Sequence, residues 1–378
     1  MTQAPPGPLR LPTLTTLRFG AAFAVFVSHA AFFGGVAAGI DLSRLYPLGG
    51  VGVSFFFVLS GFVLTHSARD GDTAPAFWGR RFFKIFPNHV VVWTAIILLI
   101  HLAGLTRVPP TAKISTLNDV SNLLLVETLF PKAPTGAGNG VAWSLTCELV
   151  FYLLFPVLLP MIRRIPARRL TAAAVLGLVV VWSVPLVSLA FAGPPAGGPL
   201  GAEMSVDQLV FTYFWPLVRL PEFVLGILLA RIHHEGPRRL PGLPTAFLLF
   251  VVSLLAAPLL PPPFRLTAVT ALPLALLILA GAAHDTRGRK SPLNSRTGVF
   301  LGDISYAFYL IHFTALVAVF QIADGRLPAA AVAIALAIAL GAARLLYTTV
   351  ELPVMQRHLA RARQRRTRGR LTPEHTTP

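Results

Sequence analysis

The sequence predicts an all-α fold, a polytopic membrane helix bundle of about ten transmembrane helices. Apolar residues make up 54% of the 378 residues and charged residues only 12%, a balance that excludes an ordinary soluble globule. Apolar segments of about 20 residues, the length that crosses a bilayer, recur along the chain. Connections rich in proline and glycine, such as 193–201 and 260–263, separate these segments because both residues break helices.

Ten segments fit this pattern, and no soluble domain fits between them. They lie near residues 14–33, 48–66, 86–105, 142–161, 170–192, 209–230, 243–260, 266–283, 299–320 and 328–350. The first lacks a small-residue cleavage site after it, so we expect a retained helix and not a signal peptide. We divide the chain into a cytoplasmic N-terminal segment (1–13), a transmembrane domain (14–353) and a basic cytoplasmic tail (354–378).

Positive charge is distributed unevenly between alternate connections. With a cytoplasmic N-terminus, 23 of the 32 lysines and arginines fall in inner segments and six in outer ones. Cytoplasmic loops retain positive charge during insertion, so we predict both termini in the cytoplasm and a multi-pass protein of the bacterial inner membrane. The tail from Arg357 to Arg370 is expected to contact anionic lipid. Because the charges lie between apolar runs, the net charge of +17 does not predict a nucleic-acid partner.

Two further features limit the possibilities. The single cysteine, Cys147, has no zinc or thioredoxin spacing around it, and we expect no metal and no permanently bound cofactor. The long outer connection, 106–141, contains an apolar patch, Leu123–Leu129, that is too short to span the bilayer. We expect this patch to lie along the membrane interface or to cover the bundle as a lid.

Ionisable residues inside apolar spans cost roughly 2.5–3.5 kcal/mol on insertion, so each one needs an explanation. They are Arg18, His29, Glu148, Arg219, Glu222, His312 and Arg344. Arg219 and Glu222 are three residues apart on one helix, which predicts a local ion pair. We favour a structural role for that pair slightly over a role in binding substrate.

Arg18 and His29 share one helix face, about 16 Å apart along the axis. This spacing suits a long ligand with an anionic head and a reactive far end. Glu148, six residues into a helix that enters from outside, is predicted to lie at the depth of His29. A buried carboxylate beside an imidazole orients a general base, but the same pair also serves to join two helices. The sequence leaves both interpretations open.

Two further motifs carry alternative interpretations. Arg80, Arg81 and Lys84 precede a helix at the predicted cytoplasmic face, where they are suited either to bind the phosphates of a nucleotide-like donor or to anchor the topology. The glycine-rich stretch from Gly49 to Gly61 lies at an outer boundary and leads into an apolar helix, which does not fit a phosphate-binding loop. Close helix packing through small residues is the better interpretation.

Together these segments resemble acyltransferase family 3, the bacterial membrane-bound O-acyltransferases. The motifs are, in order, Leu17-Arg18 with Ser28-His29-Ala30; Gly52-Val-Ser-Phe-Phe-Phe-Val-Leu-Ser-Gly-Phe62; Arg80-Arg81 with Ile85-Phe86-Pro87; Trp143-Ser-Leu-Thr-Cys-Glu148 with Phe151-Tyr152; Arg219-Leu-Pro-Glu-Phe223 with Leu225-Gly226; Leu301-Gly-Asp-Ile-Ser-Tyr306 with Tyr309-Leu-Ile-His312; and Glu351-Leu-Pro353. The resemblance implies ten core helices, an acyl-CoA donor and a hydroxyl acceptor on a carbohydrate, peptidoglycan or secondary metabolite.

The resemblance also assigns roles to residues. His29 corresponds to the family's proposed catalytic histidine, Arg18 to the arginine eleven residues before it, and Glu148 to the glutamate of the Trp-Ser-Leu motif. Lys84 stands where the family usually has a second arginine. Many relatives add a soluble esterase-like domain, and this chain ends soon after its last helix. Together with the wording of the motif from Gly52 to Phe62, this makes the chain resemble the compact branch that acylates macrolide or ansamycin antibiotics, with O-acetylation of cell-surface polysaccharide as the alternative.

The expected mechanism places acyl-CoA at the cytoplasmic side. Its phosphates would lie near Arg80, Arg81, Lys84 and Arg344, and its pantetheine arm would pass Arg18 toward His29. His29, oriented by Glu148, would deprotonate the hydroxyl of a small-molecule acceptor. The remaining candidates for binding acceptor or oxyanion are Tyr306, His312, Arg219 and Glu222. A transporter or flippase is the rival from another class, with its charges lining a substrate path, and a structural subunit of an envelope complex is a third possibility.

Overall fold

The computed structural model describes residues 11–34, 36–37, 40–41, 45–69, 71–102, 104, 116–129, 138–196, 203–236 and 240–371. Its helices are α1 Pro12–Gly34, α2 Pro47–His66, α3 Ala74–Leu102, α4 Thr116–Leu123, α5 Trp143–Arg163, α6 Leu170–Ser188, α7 Val206–Leu209, α8 Pro216–His234, α9 Leu243–Ala256, α10 Pro262–Leu266, α11 Ala271–Thr286, α12 Arg296–Ile322, α13 Ala329–Leu346 and α14 Leu352–Leu371. Two short strands, β1 (Val36–Ala37) and β2 (Ile40–Asp41), pair antiparallel.

Within the described residues, nine helices are long and apolar enough to cross a membrane. A tenth apolar helix, Leu243–Leu259, is shorter. Each of the ten predicted segments corresponds to one of these helices, which confirms the polytopic helical fold. The predicted tail begins inside α14, and residues 1–10 of the predicted N-terminal segment lie outside the described residues.

Helix starts follow local chemistry. The side chain of Ser295 accepts a hydrogen bond from the Gly298 amide at 3.2 Å and caps α12, while proline stands in the first turn of α2 and α8. The predicted start of α3 near residue 86 was too late, because the helix begins at Ala74. Basic residues in the first turns of α3 lower the hydropathy there but do not interrupt the helical backbone. Exposed aromatic side chains in the same turns, such as Phe82, suit a membrane interface.

Glycines bring the central helices into close contact. A Cβ atom added to Gly226 of α8 would lie 1.9 Å from the Val58 carbonyl oxygen of α2, and one added to Gly61 of α2 would lie 2.0 Å from the Phe223 carbonyl oxygen of α8. The structure therefore supports the packing interpretation of the glycine-rich stretch. Gly302 plays the same part between α12 and α1, where an added Cβ would lie 2.0 Å from the Thr15 carbonyl oxygen.

One end of the bundle, called the basic end below, is where α1, α3 and α12 begin and α2, α5 and α8 end. There Thr13 donates through its backbone N–H and its hydroxyl to Asp285, at 2.9 and 2.5 Å, and the rings of His66 and His234 lie 3.1 Å apart, Nδ1 to Nε2. This is the end that the charge distribution predicts to be cytoplasmic.

The apolar patch Leu123–Leu129 covers part of the bundle. The indole N–H of Trp93 donates to the Asp119 carbonyl at 3.0 Å, and the ring nitrogen Nε2 of His89 lies 3.1 Å from the Asn122 carbonyl oxygen. Leu125 within the patch is fully buried. Residues 105–115 and 130–137 of the predicted outer connection lie outside the described residues.

We predict that Gly226→Ala destabilises the folded protein, because its methyl group would meet the Val58 carbonyl and overpacking costs about 1–3 kcal/mol. The unfolding midpoint of the detergent-solubilised protein would fall. The matched control is Gly341→Ala in α13, where an added Cβ meets nothing within 4 Å and the midpoint should not fall. Equal midpoints for the two variants would contradict the close α2–α8 packing.

Candidate active site

A central cavity lies inside the bundle, with about 930 Å³ of empty space, part of it open to the surroundings. Residues of α1, α2, α3, α5 and α12 line it. Its polar lining consists of Arg18, Ser60, Arg81, Lys84, Ser144, Glu148, Tyr152, Asp303, Ser305, Tyr306 and Tyr309. The chain thus brings together five of the predicted site residues from four different helices. Apolar side chains such as Phe56, Phe57 and Ile85 complete the wall.

Glu148 faces this cavity. The Tyr152 hydroxyl donates to its Oε2 at 3.1 Å, and Ser60 in turn donates to the Tyr152 hydroxyl at 3.3 Å. The positive charges that act on Glu148 are those of Arg81, Arg18 and Lys84. The carboxylate therefore belongs to the cation-lined part of the site.

Two of the predicted donor-binding cations already have carboxylate partners. Lys84 forms an ion pair with Glu351, which is 1% exposed and also accepts a hydrogen bond from Asn88 at 2.6 Å. Arg80 binds both carboxylate oxygens of Asp72, at 2.6 and 3.3 Å. These contacts hold the first turns of α3 in place.

Arg18 and Arg81 differ from these two cations. Neither forms an ion pair or hydrogen bond with any residue that the structure describes, and the Nε atom of Arg81 is buried without an acceptor. A guanidinium group presents five N–H donors. The cavity therefore holds unused donors suited to phosphate or carbonyl oxygens.

A second cavity, the basic vestibule, lies at the basic end beside the central cavity. Its empty space amounts to about 1,330 Å³, part of it open to solvent, and its lining includes Arg69, Arg80, Arg81 and Arg163. Arg81 and Leu64 line both cavities. A ligand with a polyanionic head in the vestibule and an uncharged arm in the central cavity would fit this arrangement.

His29 lies toward the opposite end of α1 and pairs with His312. Its Nδ1 is 2.9 Å from Nε2 of His312, and the two rings are stacked with centroids 5.2 Å apart. His312 is fully buried. The ring of Phe313 packs edge-on against His29 with centroids 4.9 Å apart.

The prediction that Glu148 orients His29 was wrong. It assumed that α5 starts at the outer surface, whereas the connection before α5 enters the bundle, where Asn139 donates to the Leu310 carbonyl at 3.0 Å. Leu310 lies near the middle of α12. Since Glu148 lies five residues into α5, it is about 8 Å closer to the basic end than the helix start, at the level of Arg18 and not of His29.

Tyr309 contacts both the central cavity and His312. Its side chain lines the cavity and its hydroxyl is 2.7 Å from the Ser144 hydroxyl, while its backbone carbonyl accepts a hydrogen bond from Nδ1 of His312 at 2.7 Å. His29 is not among the residues that line the central cavity. Sequence reasoning missed the role of Tyr309, although its position three residues before His312 places both on one helix face.

The remaining predicted residues have mixed outcomes. Arg219 and Glu222 form the predicted ion pair at 3.0 Å, with Arg219 also donating to Ser54 at 3.0 Å, and neither lines the central cavity. Arg344 is exposed on α13 and lines neither cavity, so its predicted contact with donor phosphates is not supported. Tyr306 lines the central cavity, but its hydroxyl already donates to the Ile85 carbonyl at 2.9 Å, which leaves that proton unavailable to an oxyanion.

These features are those of a multi-pass membrane protein with a cationic cavity and, farther along α1, a histidine pair in which His312 is buried and His29 is partly buried. A family model described as an acyltransferase domain matches residues 11–348, and the chain belongs to that family, acyltransferase family 3. The resemblance noted in the sequence is thereby confirmed. The protein is a membrane acyltransferase.

Individual relatives refine this assignment. Acyltransferase MdmB of Streptomyces mycarofaciens is 40% identical over 93% of each chain. The exopolysaccharide production protein ExoZ of Rhizobium meliloti is 30% identical over 72% of this chain and 78% of its own. The putative peptidoglycan O-acetyltransferase YrhL of Bacillus subtilis is 25% identical over 71% of this chain and 44% of its own. No solved structure matches the chain.

We predict that Glu351→Gln destabilises the protein, because it leaves the Lys84 ammonium group without its buried partner, and breaking a buried ion pair costs about 3–5 kcal/mol. The control is Glu235→Gln, which breaks a more exposed pair with Arg231 worth about 0–1 kcal/mol. Thermal unfolding of both variants provides the comparison. A Glu351→Gln midpoint no lower than that of Glu235→Gln would show that the Lys84–Glu351 pair does not stabilise the site.

Proposed function

We propose that the protein is an acyl-CoA-dependent O-acyltransferase of the bacterial cytoplasmic membrane. The observation that carries this proposal is a pair of arginines, Arg18 and Arg81, that form no hydrogen bond or ion pair with the described residues and lie between an arginine-rich vestibule and a histidine pair. A donor with phosphates at one end and a thioester at the other matches that order. The proposed acceptor is a hydroxyl of a secondary metabolite of the macrolide or ansamycin type.

The vestibule is proposed to hold the phosphates of coenzyme A. Arg69, Arg80 and Arg163 line it, and arginine binds phosphate with two parallel hydrogen bonds. Arg81 lies where the vestibule meets the central cavity and would bind the start of the pantetheine arm. Arg18, deeper in the cavity, would donate to an amide carbonyl of that arm. The Glu148 carboxylate would hold the guanidinium groups of Arg81 and Arg18 in position by electrostatic attraction, and the Tyr152 side chain would hold them by packing.

The thioester is proposed to meet the acceptor at His29. His29 removes the proton of the acceptor hydroxyl as its oxygen forms a bond to the thioester carbonyl carbon. The carbon–sulfur bond then breaks, and the thiolate of coenzyme A takes a proton. Because Tyr309 contacts both the cavity and His312, its side chain is proposed to turn aside when the donor arm is fully inserted.

The proposed acceptor class rests on the sequence similarity of this chain to its relatives. The acyltransferase from Streptomyces mycarofaciens matches over 93% of each chain at 40% identity, a closer and more complete match than the exopolysaccharide protein at 30%. With the motif resemblance to the compact branch, this favours a secondary metabolite. The second candidate acceptor is a cell-surface polysaccharide, favoured by the name of ExoZ.

The direct test mixes the purified protein in lipid nanodiscs with acetyl-CoA or propionyl-CoA and a panel of macrolide, ansamycin and oligosaccharide hydroxyl acceptors. We predict acceptor-dependent release of free thiol together with an acylated product detected by mass spectrometry. His29→Ala should lower the rate by roughly 10²–10⁴, the usual loss on removing a general base. The control is His101→Ala, because His101 is exposed on α3 and its loss should not change the rate.

Two results would refute the proposal. If the same protein in sealed lipid vesicles moved the acceptor across the membrane without releasing thiol, a transporter would be favoured. Wild-type rates for His29→Ala would remove the proposed base.

We predict that Arg18→Gln and Arg81→Gln each weaken binding of acyl-CoA by roughly 10- to 100-fold, since a hydrogen bond to a charged group contributes about 1.5–3 kcal/mol. The dissociation constant of coenzyme A, measured by calorimetry, reports this change. Arg344→Gln is the matched control and should bind as tightly as the wild type. If Arg344→Gln weakens binding while Arg18→Gln and Arg81→Gln do not, the donor lies elsewhere.

A further inference from the structure

A chain of two hydrogen bonds runs from His29 into the backbone of α12. Nδ1 of His29 lies 2.9 Å from Nε2 of His312, and Nδ1 of His312 lies 2.7 Å from the Tyr309 carbonyl oxygen. We propose that His312 is a positioning residue that fixes His29 in the tautomer with an unprotonated Nε2. The catalytic consequence of this inference rests on the proposed function.

The direction of the chain follows from what each atom can do. A backbone carbonyl only accepts hydrogen bonds, so Nδ1 of His312 must carry a proton. In a neutral ring the other nitrogen, Nε2, then has only a lone pair. The hydrogen bond between the rings therefore requires Nδ1 of His29 to be the donor. What remains on His29 is an Nε2 lone pair, which has no hydrogen-bond partner among the described residues.

Apart from His312, the described residues around His29 offer no other group that would set this tautomer. Of the described titratable residues, His312 is the one whose charge acts on His29. The ring of Phe313 packs against His29, and the rings of Phe26 and Phe308 pack against His312. Among the side chains that the structure describes, no carboxylate contacts either ring. His312 thus takes the orienting place that a carboxylate has in a serine-protease triad, but as a neutral group.

This arrangement determines the path of the proton. Nε2 of His29 takes the proton of the acceptor hydroxyl as the new carbon–oxygen bond forms. The carbonyl at the end of the chain cannot accept a proton, so a proton passed to Nε2 of His312 can go no farther and must come back to His29. The same Nε2 must return it to the sulfur of coenzyme A as the carbon–sulfur bond breaks, which regenerates neutral His29 and gives free thiol. His29 therefore acts first as a base and then as an acid, and it uses the same ring nitrogen, Nε2, for both steps.

The test compares His312→Phe, which removes the acceptor for the His29 Nδ1–H, with His312→Gln, whose side-chain oxygen retains one. We expect His312→Phe to lower kcat roughly 10- to 100-fold, as large as the loss when the hydrogen-bond partner of a metal-binding histidine is removed. KM for acyl-CoA should be unchanged because Arg18 and Arg81 are untouched. His312→Gln should recover most of this loss. The acid limb of the kcat/KM pH profile should move in His312→Phe and return toward that of the wild type in His312→Gln.

Nitrogen NMR of ¹⁵N-histidine-labelled protein provides a readout that does not require turnover. Signals assigned with His29→Ala should show a protonated Nδ1 and an unprotonated Nε2 in the wild type. A protonated Nε2 on His29 would overturn the proposal even if His312→Phe did not fold. Equal kcat for His312→Phe and the wild type, or equal losses in His312→Phe and His312→Gln, would also overturn it. If instead the wild type itself released no thiol with any acceptor, the proposed function would fail and the NMR result would still decide the tautomer.

Discussion

The cost of holding ionisable side chains in a low-dielectric interior governs this structure. Each such group needs a partner, because an unpaired buried charge is far more expensive than a paired one. Arg219 has Glu222, Lys84 has Glu351, and His29 has His312. Against that pattern, Arg18 and Arg81 are the cations of the central cavity whose donors remain unused within the described residues, and this exception points to a ligand.

The helix α1 connects the two halves of the site. Arg18 lies at the level of the central cavity and His29 at the histidine pair, three helical turns farther along. Close packing of α1 on α12, permitted by Gly302, fixes this helix against the one that carries Tyr309 and His312. The donor-binding and proton-transfer parts of the site are therefore set by one helix pair, with Tyr309 in contact with both.

Much of the fold was predictable from the sequence, because the bilayer requires apolar segments of nearly fixed length. The Arg219–Glu222 pair was predictable as well, since both residues lie on one helix with a spacing of three. The depth of Glu148 was not predictable from the sequence. The connection near Asn139 enters the bundle, and hydropathy does not reveal such a path. The His29–His312 pair was also out of reach, since the partners are 283 residues apart and a single sequence does not show which helices face each other. The sequence also did not separate Arg344 from the cavity arginines, because hydropathy does not show that its side chain lies on the outer surface of α13 and lines neither cavity.

The most direct test is a structure of the protein bound to a non-hydrolysable acyl-CoA thioether. We predict that the phosphates lie in the basic vestibule and that the arm passes Arg81 and Arg18. The Tyr309 side chain should be displaced, and the acyl carbonyl carbon should lie near Nε2 of His29. Room should remain for the acceptor oxygen, which reacts from about 3–3.5 Å. An acyl carbonyl that stops beside Glu148, with the Tyr309 side chain not displaced, would contradict the proposed mechanism.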